Sequence, residues 1–411
     1  MHTYKIFQLV LILTPFVFSF AFGLDIYIPI VPQMSEIFDT SPAMIQLTLS
    51  LFLFTTGFGQ LFIGPLSDQW GRKKIFYIAS AFYAIGSLGC AFSPDIFWLI
   101  TSRLISSLGA CGMLVTSFAV VRDLFSSHQS AKMYSFLNGA IGISPTFAPI
   151  LGGYLGTFLG WQSIFLFLGG LGLFSLIVTN FFIYETHPEE KRILLNRMVF
   201  NRYLEIIQNR QFIIYSVIAG FAEGVFFCFF SISPFIIIDL LKIPTYEFGY
   251  YFAIFGSVIG LGGFASGKMI EKNGIQSTIS CGISLMFLGG FSMLAWHYID
   301  DLSLQGFLIP MVFACTGAIF LVGGCASAAL EPFASIAGTA SAAFGAIEFG
   351  LSACIGSILM MFTITSTIPY GISILLMALF SLILFLMSKK KHPFKMVIGF
   401  KKIFPHKNEV R

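Results

Sequence analysis

Long apolar runs recur along the chain and constrain its fold more than any other feature. Of its 411 residues, 56% are hydrophobic and 10% are charged, so the apolar surface cannot all be folded into a protein core. A bilayer core about 30 Å thick requires about 20 apolar residues per helix. The sequence therefore predicts an all-α membrane protein with twelve transmembrane helices. The predicted spans are 6–32, 44–65, 75–92, 96–121, 133–156, 162–184, 211–237, 249–267, 276–298, 304–328, 335–363 and 367–388.

The first apolar run has some features of a signal peptide. Lys5 precedes it, and Ala21-Phe22-Gly23 is weakly similar to a cleavage site. The run is too long for a signal peptide, however, and continues past Asp25 to Val31. We interpret it as the first spanning helix.

Basic residues are concentrated on one side of the predicted helices. With a cytoplasmic N-terminus, all 23 Lys and Arg except Lys242 and Arg103 fall in cytoplasmic segments. The positive-inside rule then places both termini in the cytoplasm. The basic residues thus indicate topology, and no nucleic-acid partner is implied.

A long polar stretch, residues 185–211, separates two groups of about six predicted helices. We therefore predict an N-terminal half at 1–185, a cytoplasmic linker at 186–210, a C-terminal half at 211–388 and a basic tail at 389–411.

A short motif occurs once in each half. GPLSDQWG at 64–71 and GKMIEKNG at 267–274 share their first and last glycines and an acid at the fifth position. Each follows the second predicted helix of its half, which indicates a duplication. Two six-helix halves related by an axis along the membrane normal are a known transporter architecture.

The extended motif GPLSDQWGRKK at 64–74 closely resembles the signature loop between helices 2 and 3 of the major facilitator superfamily. Further segments resemble its Bcr/CflA-like drug-resistance branch. They are DIYIPIVP (25–32), VVRDLF (120–125), APILGG (148–153), GWQSIF (160–165), SPFII (233–237), EFGYYFA (247–253) and AGTASAAFG (337–345).

This resemblance implies a monomeric transporter in the inner membrane of a bacterium. Such a protein alternates between inward-open and outward-open states and usually exports small organic compounds in exchange for protons. The proton gradient is the energy source, and no cofactor is needed. Glu223 and Glu348 depart from the residues usual in this branch, which leaves the substrate open.

Charges inside a bilayer cost roughly 2.5–3.5 kcal/mol each on insertion scales, so each one needs a reason. Asp25 and Arg103 both lie about 10 Å below the outer ends of their helices. We expect Asp25 to carry the coupling proton and Arg103 to change its proton affinity as the halves move. The structural alternative is a fixed salt bridge, or caps for helix backbone broken near Pro29 and Pro32.

Glu223 and Glu348 both fall near the bilayer midplane. We expect them to form a carboxylate pair that binds a cationic substrate group or a second proton, with Phe226 or Phe227 lining the same cavity. The alternative is that both are neutral acids, hydrogen-bonded to backbone or to nearby Tyr and Ser side chains.

Two regions are candidates for conformational switching. The fifth helix contains Pro145, Pro149, Gly152 and Gly153, which predict a bend that controls closure between the halves, or else ordinary close packing. In the motif loop, Asp68 can contact Arg72, Arg122 or a helix N-terminus and so latch the cytoplasmic side, or the loop is a topology anchor alone. The candidate switching residues of this region are Gly64, Asp68, Gly71, Arg72, Arg122 and Asp123.

Other function classes have little support in the sequence. The six histidines form no metal or nucleophile pattern, and no phosphate-binding loop is present, so neither an enzyme nor ATP-driven export is expected. The leading hypothesis is a proton-coupled exporter of a drug or metabolite, siderophores included. A nutrient importer on the same fold and a non-transporting membrane sensor or intramembrane enzyme are the alternatives.

Overall fold

The computed structural model describes residues 6–125, 127–187, 197–362 and 364–389, and within them the chain is helical with no strands. The α-helices are α1 (Ile6–Asp25), α2 (Val31–Ile37), α3 (Pro42–Trp70), α4 (Arg72–Ala91), α5 (Ile96–Leu124), α6 (Ser127–Leu159), α7 (Gln162–Phe182), α8 (Arg197–Gln208), α9 (Arg210–Pro234), α10 (Thr245–Asn273), α11 (Ile275–Asp300), α12 (Leu304–Leu330), α13 (Ala337–Leu359) and α14 (Ile368–Lys389). Short 3-10 turns at Ile28–Ile30 and Glu331–Ile336 and a π turn at Phe235–Leu240 extend or join them.

Eleven helical segments in the described part of the chain are long and apolar enough to cross a membrane. The remaining long helix, α6, has 33 residues and covers the predicted run 133–156. It falls short of the apolar composition of the others because it carries two prolines and many small or polar residues. It packs between α1 and α10, so much of its surface faces protein rather than lipid. The all-α, multi-pass membrane fold is confirmed.

The helices run alternately between two ends of the bundle. We call the end with the Gly71 turn and α8 the linker end, and the opposite end the far end. Helices α1–α7 form the first half and α9–α14 the second, with α8 inside the predicted linker. Residues 188–196 of that linker, and the predicted tail from residue 390 onward, lie outside the described residues.

The first membrane segment is broken beside Asp25. Helix α1 ends there, and the chain continues through the 3-10 turn at Ile28–Ile30 into α2. Pro29 and Pro32 have no backbone N–H to continue the α-helical hydrogen bonds, which accounts for the break. The break places the Asp25 carboxyl inside the bundle.

The repeated motif builds the same turn twice. Gly71 separates α3 from α4 with φ +93°, and Gly274 separates α10 from α11 with φ +81°. Residues with a Cβ atom rarely adopt this backbone conformation, whereas glycine adopts it without steric cost. The two motif copies are thus equivalent in conformation as well as in sequence.

Close backbone packing joins the halves at the far end. A methyl group at Gly249 of α10 would overlap Ile150 of α6, and one at Gly153 of α6 would overlap the carbonyl oxygen of Thr245. Within the first half, a methyl group at Gly152 of α6 would overlap the carbonyl oxygen of Ile26. Three polar contacts also cross between the halves there. They are Gln33 Nε2 to Thr245 Oγ1 at 3.0 Å, Gln46 Nε2 to Ser231 Oγ at 2.5 Å, and Tyr154 Oη to Tyr250 Oη at 2.7 Å. The far end is therefore closed.

The packing at Gly152 gives a stability prediction. We expect Gly152→Val to lower the melting temperature in detergent by several degrees, because overpacking costs about 1–3 kcal/mol. Gly170→Val on α7 is the control, since no atom lies within 4 Å of its added Cβ position. Equal melting temperatures for the two variants would contradict the packing described.

Candidate functional site

A cavity of about 1090 Å³ lies between the two halves. Its walls come from α1, α3, α5 and α6 on one side and from α9, α10, α12 and α13 on the other. Asp25, Glu223 and Glu348 line its deep part, while Asp68 and Arg122 line its mouth at the linker end. The cavity is thus open toward the linker end while the far end is closed.

The broken first segment places Asp25 against α6. Its side chain is 4% exposed, and its Oδ2 accepts a hydrogen bond of 2.7 Å from the Ser144 hydroxyl. The sequence did not predict Ser144 as a partner. A serine directly before the Pro145 bend was the available signal, but the sequence alone does not show which residue it faces.

Arg103 is buried on a different side of α1. Its Nη1 donates to the carbonyl oxygen of Gly23 at 2.8 Å, and its guanidinium lies 4.5 Å from the ring centre of Phe52 and 5.2 Å from that of Tyr27. Among the described residues it forms no ion pair with Asp25. The fixed salt bridge considered from the sequence is therefore absent in this conformation.

Glu223 and Glu348 do share the cavity. Glu348 is 7% exposed, and in the described part of the chain neither acid forms a hydrogen bond or an ion pair with protein. The hydrogen-bonded neutral acids of the alternative hypothesis are thus not seen. Asp25 lines the same cavity as both glutamates. The sequence grouped these acids into two separate sites, whereas the structure places all three in one cluster.

Of the two aromatic residues predicted on α9 to line the cavity, the structure places only Phe226 in its wall. Phe226 lines the cavity, but Phe227 points to α13, where its ring packs on Gly356. Helical residues three or four positions apart share a face, so Glu223, Phe226 and Phe230 face the cavity together. Phe230 is the aromatic residue that the sequence argument missed.

Arg72 organises the motif loop at the linker end. It is 1% exposed, pairs with Asp68 at 2.6 Å and Asp123 at 2.8 Å, and donates to the Ser67 hydroxyl. The Oδ1 atom of Asp68 also lies 3.7 Å from Nη2 of Arg122. All these contacts are within the first half and exist while the linker end is open. Arg122 also reaches the second half, because its Nη1 lies 2.7 Å from the Cβ position of Gly338 in α13. The expectation that contacts of Asp68 latch the cytoplasmic side stays a prediction.

Glu185 is a further member of this network that the sequence did not predict. Its carboxylate accepts from the backbone N–H of Arg72 at 2.9 Å and of Lys73 at 3.3 Å. Helix α4 has no side-chain cap of its own, because Gly71 precedes it. Glu185 follows α7, the last helix of the first half, and its carboxylate caps the N-terminus of α4 and places a negative charge there. An acid just after an apolar helix was the only signal in the sequence.

The four candidate switching residues of α6 lie at two levels. Pro145 lines the cavity, whereas Gly152 and Gly153 pack against other helices at the far end. The helix continues through both Pro145 and Pro149. In the motif loop, Gly64 also lines the cavity. The switching roles of these residues stay predictions.

The fold and the cavity define a membrane transporter with one central chamber between two helical halves. The chain belongs to the Major Facilitator Superfamily, whose family model matches residues 13–357.

Curated relatives match over most of the chain. A bicyclomycin resistance protein homolog of Haemophilus influenzae is 29% identical over 356 residues, which are 85% of this chain and 87% of the relative. A chloramphenicol resistance protein of Pseudomonas aeruginosa is 28% identical over 358 residues, with coverage of 87% and 84%. These similarities confirm the resemblance to the drug-resistance branch.

Solved structures share the fold at lower identity. The inward open conformation of the xylose transporter XylE from E. coli has a TM-score of 0.72 and 17% identity, covering 92% of this chain and 96% of that one. A peptide transporter POT in complex with sulfate has a TM-score of 0.74 and 13% identity, with coverage of 93% and 94%.

The Arg72 network gives a second stability prediction. We expect Asp123→Ala to destabilise the protein more than Asp68→Ala, because the side chain of Asp123 is 14% exposed and that of Asp68 is 36% exposed. Removing one partner of a buried ion pair costs about 3–5 kcal/mol, whereas an exposed pair contributes about 0–1 kcal/mol. Thermal unfolding in detergent measures the difference, and a larger loss for Asp68→Ala would contradict it.

Proposed function

We propose that this protein is a proton-coupled exporter of small organic molecules in a bacterial inner membrane. The observation that carries the proposal is the cluster of Asp25, Glu223 and Glu348 in the cavity, because none of these three acids forms an ion pair among the described residues. Ionised carboxyls so placed repel one another and are poorly solvated, so they favour binding of protons or of a cation. The names of the relatives support drugs as the exported class.

In this proposal Asp25 is the proton carrier. It reaches both the cavity and the Ser144 hydroxyl of α6, so its protonation state affects a contact between two moving helices. Arg103 affects Asp25 indirectly, because it donates to the carbonyl oxygen of Gly23, two residues before Asp25. A proton on Asp25 removes the negative charge before the cavity changes sides, and a bound cation favours release of that proton.

Glu223 and Glu348 bind the cationic group of the substrate. The apolar part of the substrate packs on the aromatic wall formed by Phe226, Phe230 and Phe349, which line the same cavity. An aromatic surface beside unpaired carboxylates suits a lipophilic cation. Substrate and protons compete for the same cluster, and this competition is the basis of their exchange.

Closure of the linker end requires new contacts between the halves. Asp68 lies at the cavity mouth, which is also lined by Ala337 and Gly338 in the first turn of α13. The positive end of that helix favours a nearby carboxylate. We infer that Asp68 contacts the α13 N-terminus in the closed state and keeps Arg72 and Arg122 as its partners within the first half. Gly64, Gly71 and Asp123 hold this loop in place, and the bend at Pro145 and Pro149 lets α6 follow the movement.

The orientation in the membrane and the energy source complete the proposed mechanism. The linker end is placed in the cytoplasm because the basic residues lie on that side. The exporter works as a monomer, performs no catalysis and needs no cofactor. The proton gradient drives it, at about 2.3 kcal/mol per charge per 100 mV and about 1.4 kcal/mol per pH unit.

The direct test uses purified protein in liposomes that contain a pH-sensitive dye. Chloramphenicol, ethidium and tetraphenylphosphonium are added one at a time under an imposed pH gradient. We expect at least one of them to trigger proton movement that protein-free liposomes do not show. Binding of a compound without any proton movement would refute the coupling.

Asp25→Asn should reduce compound-triggered proton flux to the level of protein-free liposomes, because the amide cannot carry a proton at neutral pH. The control is Asp95→Asn. Asp95 caps the start of α5 by accepting from the Trp98 N–H, and asparagine caps a helix equally well. Normal flux in folded Asp25→Asn protein would refute the role of Asp25.

Glu348→Gln should weaken tetraphenylphosphonium binding about tenfold, or about 1.4 kcal/mol, and leave the affinity for uncharged chloramphenicol unchanged. Glu223→Gln should act in the same direction. Glu331→Gln is the control, because Glu331 is exposed and does not line the cavity. Calorimetry measures the affinities, and unchanged affinity for both compounds in both cavity variants would refute cation binding by the pair.

A further inference from the structure

Two side-chain amides line the cavity and belong neither to the acid cluster nor to the motif loop. They are Gln60 of α3 and Asn138 of α6, and they are the only Asn and Gln side chains in the wall that the described residues form. Neither amide forms a hydrogen bond with protein in the described part of the chain. Polar side chains within a membrane protein are costly unless they gain a partner, and they often mark the path of a substrate. Both amides are therefore available to a ligand in the cavity.

The Gln60 amide is positioned by a glycine of the opposite half. Its Oε1, Nε2 and Cδ atoms lie 2.9, 3.1 and 3.3 Å from the Cβ position of Gly345 in α13. The polar end of Gln60 thus occupies space that any side chain at Gly345 would fill. Close packing of α3 on α13 fixes this arrangement, because the Cβ position of Gly57 lies 2.9 Å from the Cβ atom of Phe349. Gly345 ends the AGTASAAFG segment, so this segment provides a seat for the amide.

Gln60 lies between the mouth of the cavity and its acids. It is eight residues before Asp68 on α3, so the two Cα atoms are about 12 Å apart along the helix axis. On α13, Gly345 is three residues before Glu348, so the amide lies about 4.5 Å toward the linker end from the level of that acid. Helical residues three positions apart share a face. A compound bound at Glu348 therefore places its neighbouring groups beside the Gln60 amide.

Asn138 provides the second amide from a different wall. Its side chain is exposed and lines the cavity. It is six residues before Ser144, the hydroxyl partner of Asp25, and is therefore about 9 Å nearer to the linker end along α6. Both amides thus lie on the linker side of the acids. A compound that enters from the linker end passes them before it reaches the acid cluster.

We propose that Gln60 and Asn138 form a hydrogen-bonding subsite for uncharged polar groups of the transported compound, namely amides and hydroxyls. A side-chain amide has N–H donors and an acceptor oxygen but no charge, so it binds such groups without exchanging a proton. A site built to hydrogen-bond a group discriminates against analogues that lack it. The acids thus select for positive charge and the amides for hydrogen-bonding groups. The subsite rests on the proposed function, because it assumes that the cavity binds the exported compound.

The test compares two probes by calorimetry on the purified protein. Chloramphenicol is uncharged and carries amide and hydroxyl groups, whereas tetraphenylphosphonium is a cation without hydrogen-bonding groups. We expect Gln60→Leu and Asn138→Leu each to weaken chloramphenicol binding about fivefold, which is in the range for one neutral hydrogen bond. Neither variant should weaken tetraphenylphosphonium binding, which also shows that the cavity is folded. Gln162→Leu is the control, because Gln162 is exposed at the start of α7 and does not line the cavity.

A substitution at the seat tests how the Gln60 amide is positioned. Gly345→Ala should displace the amide and weaken chloramphenicol binding about threefold. In Gln60→Leu protein the same substitution should have little further effect, because the amide on which it acts is already absent. An equal loss in the two backgrounds would contradict the positioning by Gly345.

Three results would overturn the proposal as a whole. They are no chloramphenicol binding by the parent protein, unchanged chloramphenicol affinity in both leucine variants, and equal losses for the two probes. The binding measurements need no proton movement. Failure of the liposome proton-flux experiment, with the leucine variants behaving as expected, would therefore count against the proposed coupling and leave the subsite standing.

Discussion

Three carboxyls that line one cavity, those of Asp25, Glu223 and Glu348, are the constraint on which the rest of the site depends, because none of them forms an ion pair among the described residues. An ionised acid in an apolar medium is strongly disfavoured unless it gains a partner, water or a proton. Asp25 has one hydroxyl partner, and Glu348 forms no ion pair among the described residues. Such a cluster is tolerable only beside a cavity open to an aqueous side, or when protons or a cation neutralise it. The open linker end meets the first condition, and closing it requires the second.

The sequence predicted the fold well because bilayer insertion depends on features that are local in sequence. Long apolar runs mark the helices, and the repeated glycine of the motif marks the same positive-φ turn at Gly71 and Gly274. The contents of the site were predicted less well. Which acids meet depends on the rotation of each helix and on tertiary packing. Asp25 therefore lines the same cavity as Glu223, whereas Arg103 is not among the residues that line it, and Phe230 rather than Phe227 forms part of the cavity wall. The Glu185 cap joins chain segments too far apart for any local pattern.

The two lateral sides of the cavity differ because helix α8, the described helix of the linker, lies over only one of them. Helix α8 joins the halves in sequence and must cross near the mouth, and it lies against α3 and α13. None of the described segments outside the helical bundle packs across α6 and α10. That side is held together only by the far-end contact of small residues, which ends at Thr146 and Gly256. A near-symmetric bundle thus acquires one protected side and one side that faces lipid.

Helix α6 connects the chemistry of the cavity with the movement of the halves. Its Ser144 binds Asp25, while one to three turns further on Ile150, Gly152 and Gly153 pack on α10 and on the chain just after Asp25. A conformational equilibrium responds only to a ligand that interacts differently with its two states. A proton on Asp25 meets this requirement, because a carboxyl group can donate a hydrogen bond whereas a carboxylate only accepts. The contact that changes, between Asp25 and Ser144, lies next to the part of α6 that packs on α10 at the far end. Protonation therefore acts where the closed far end would have to open.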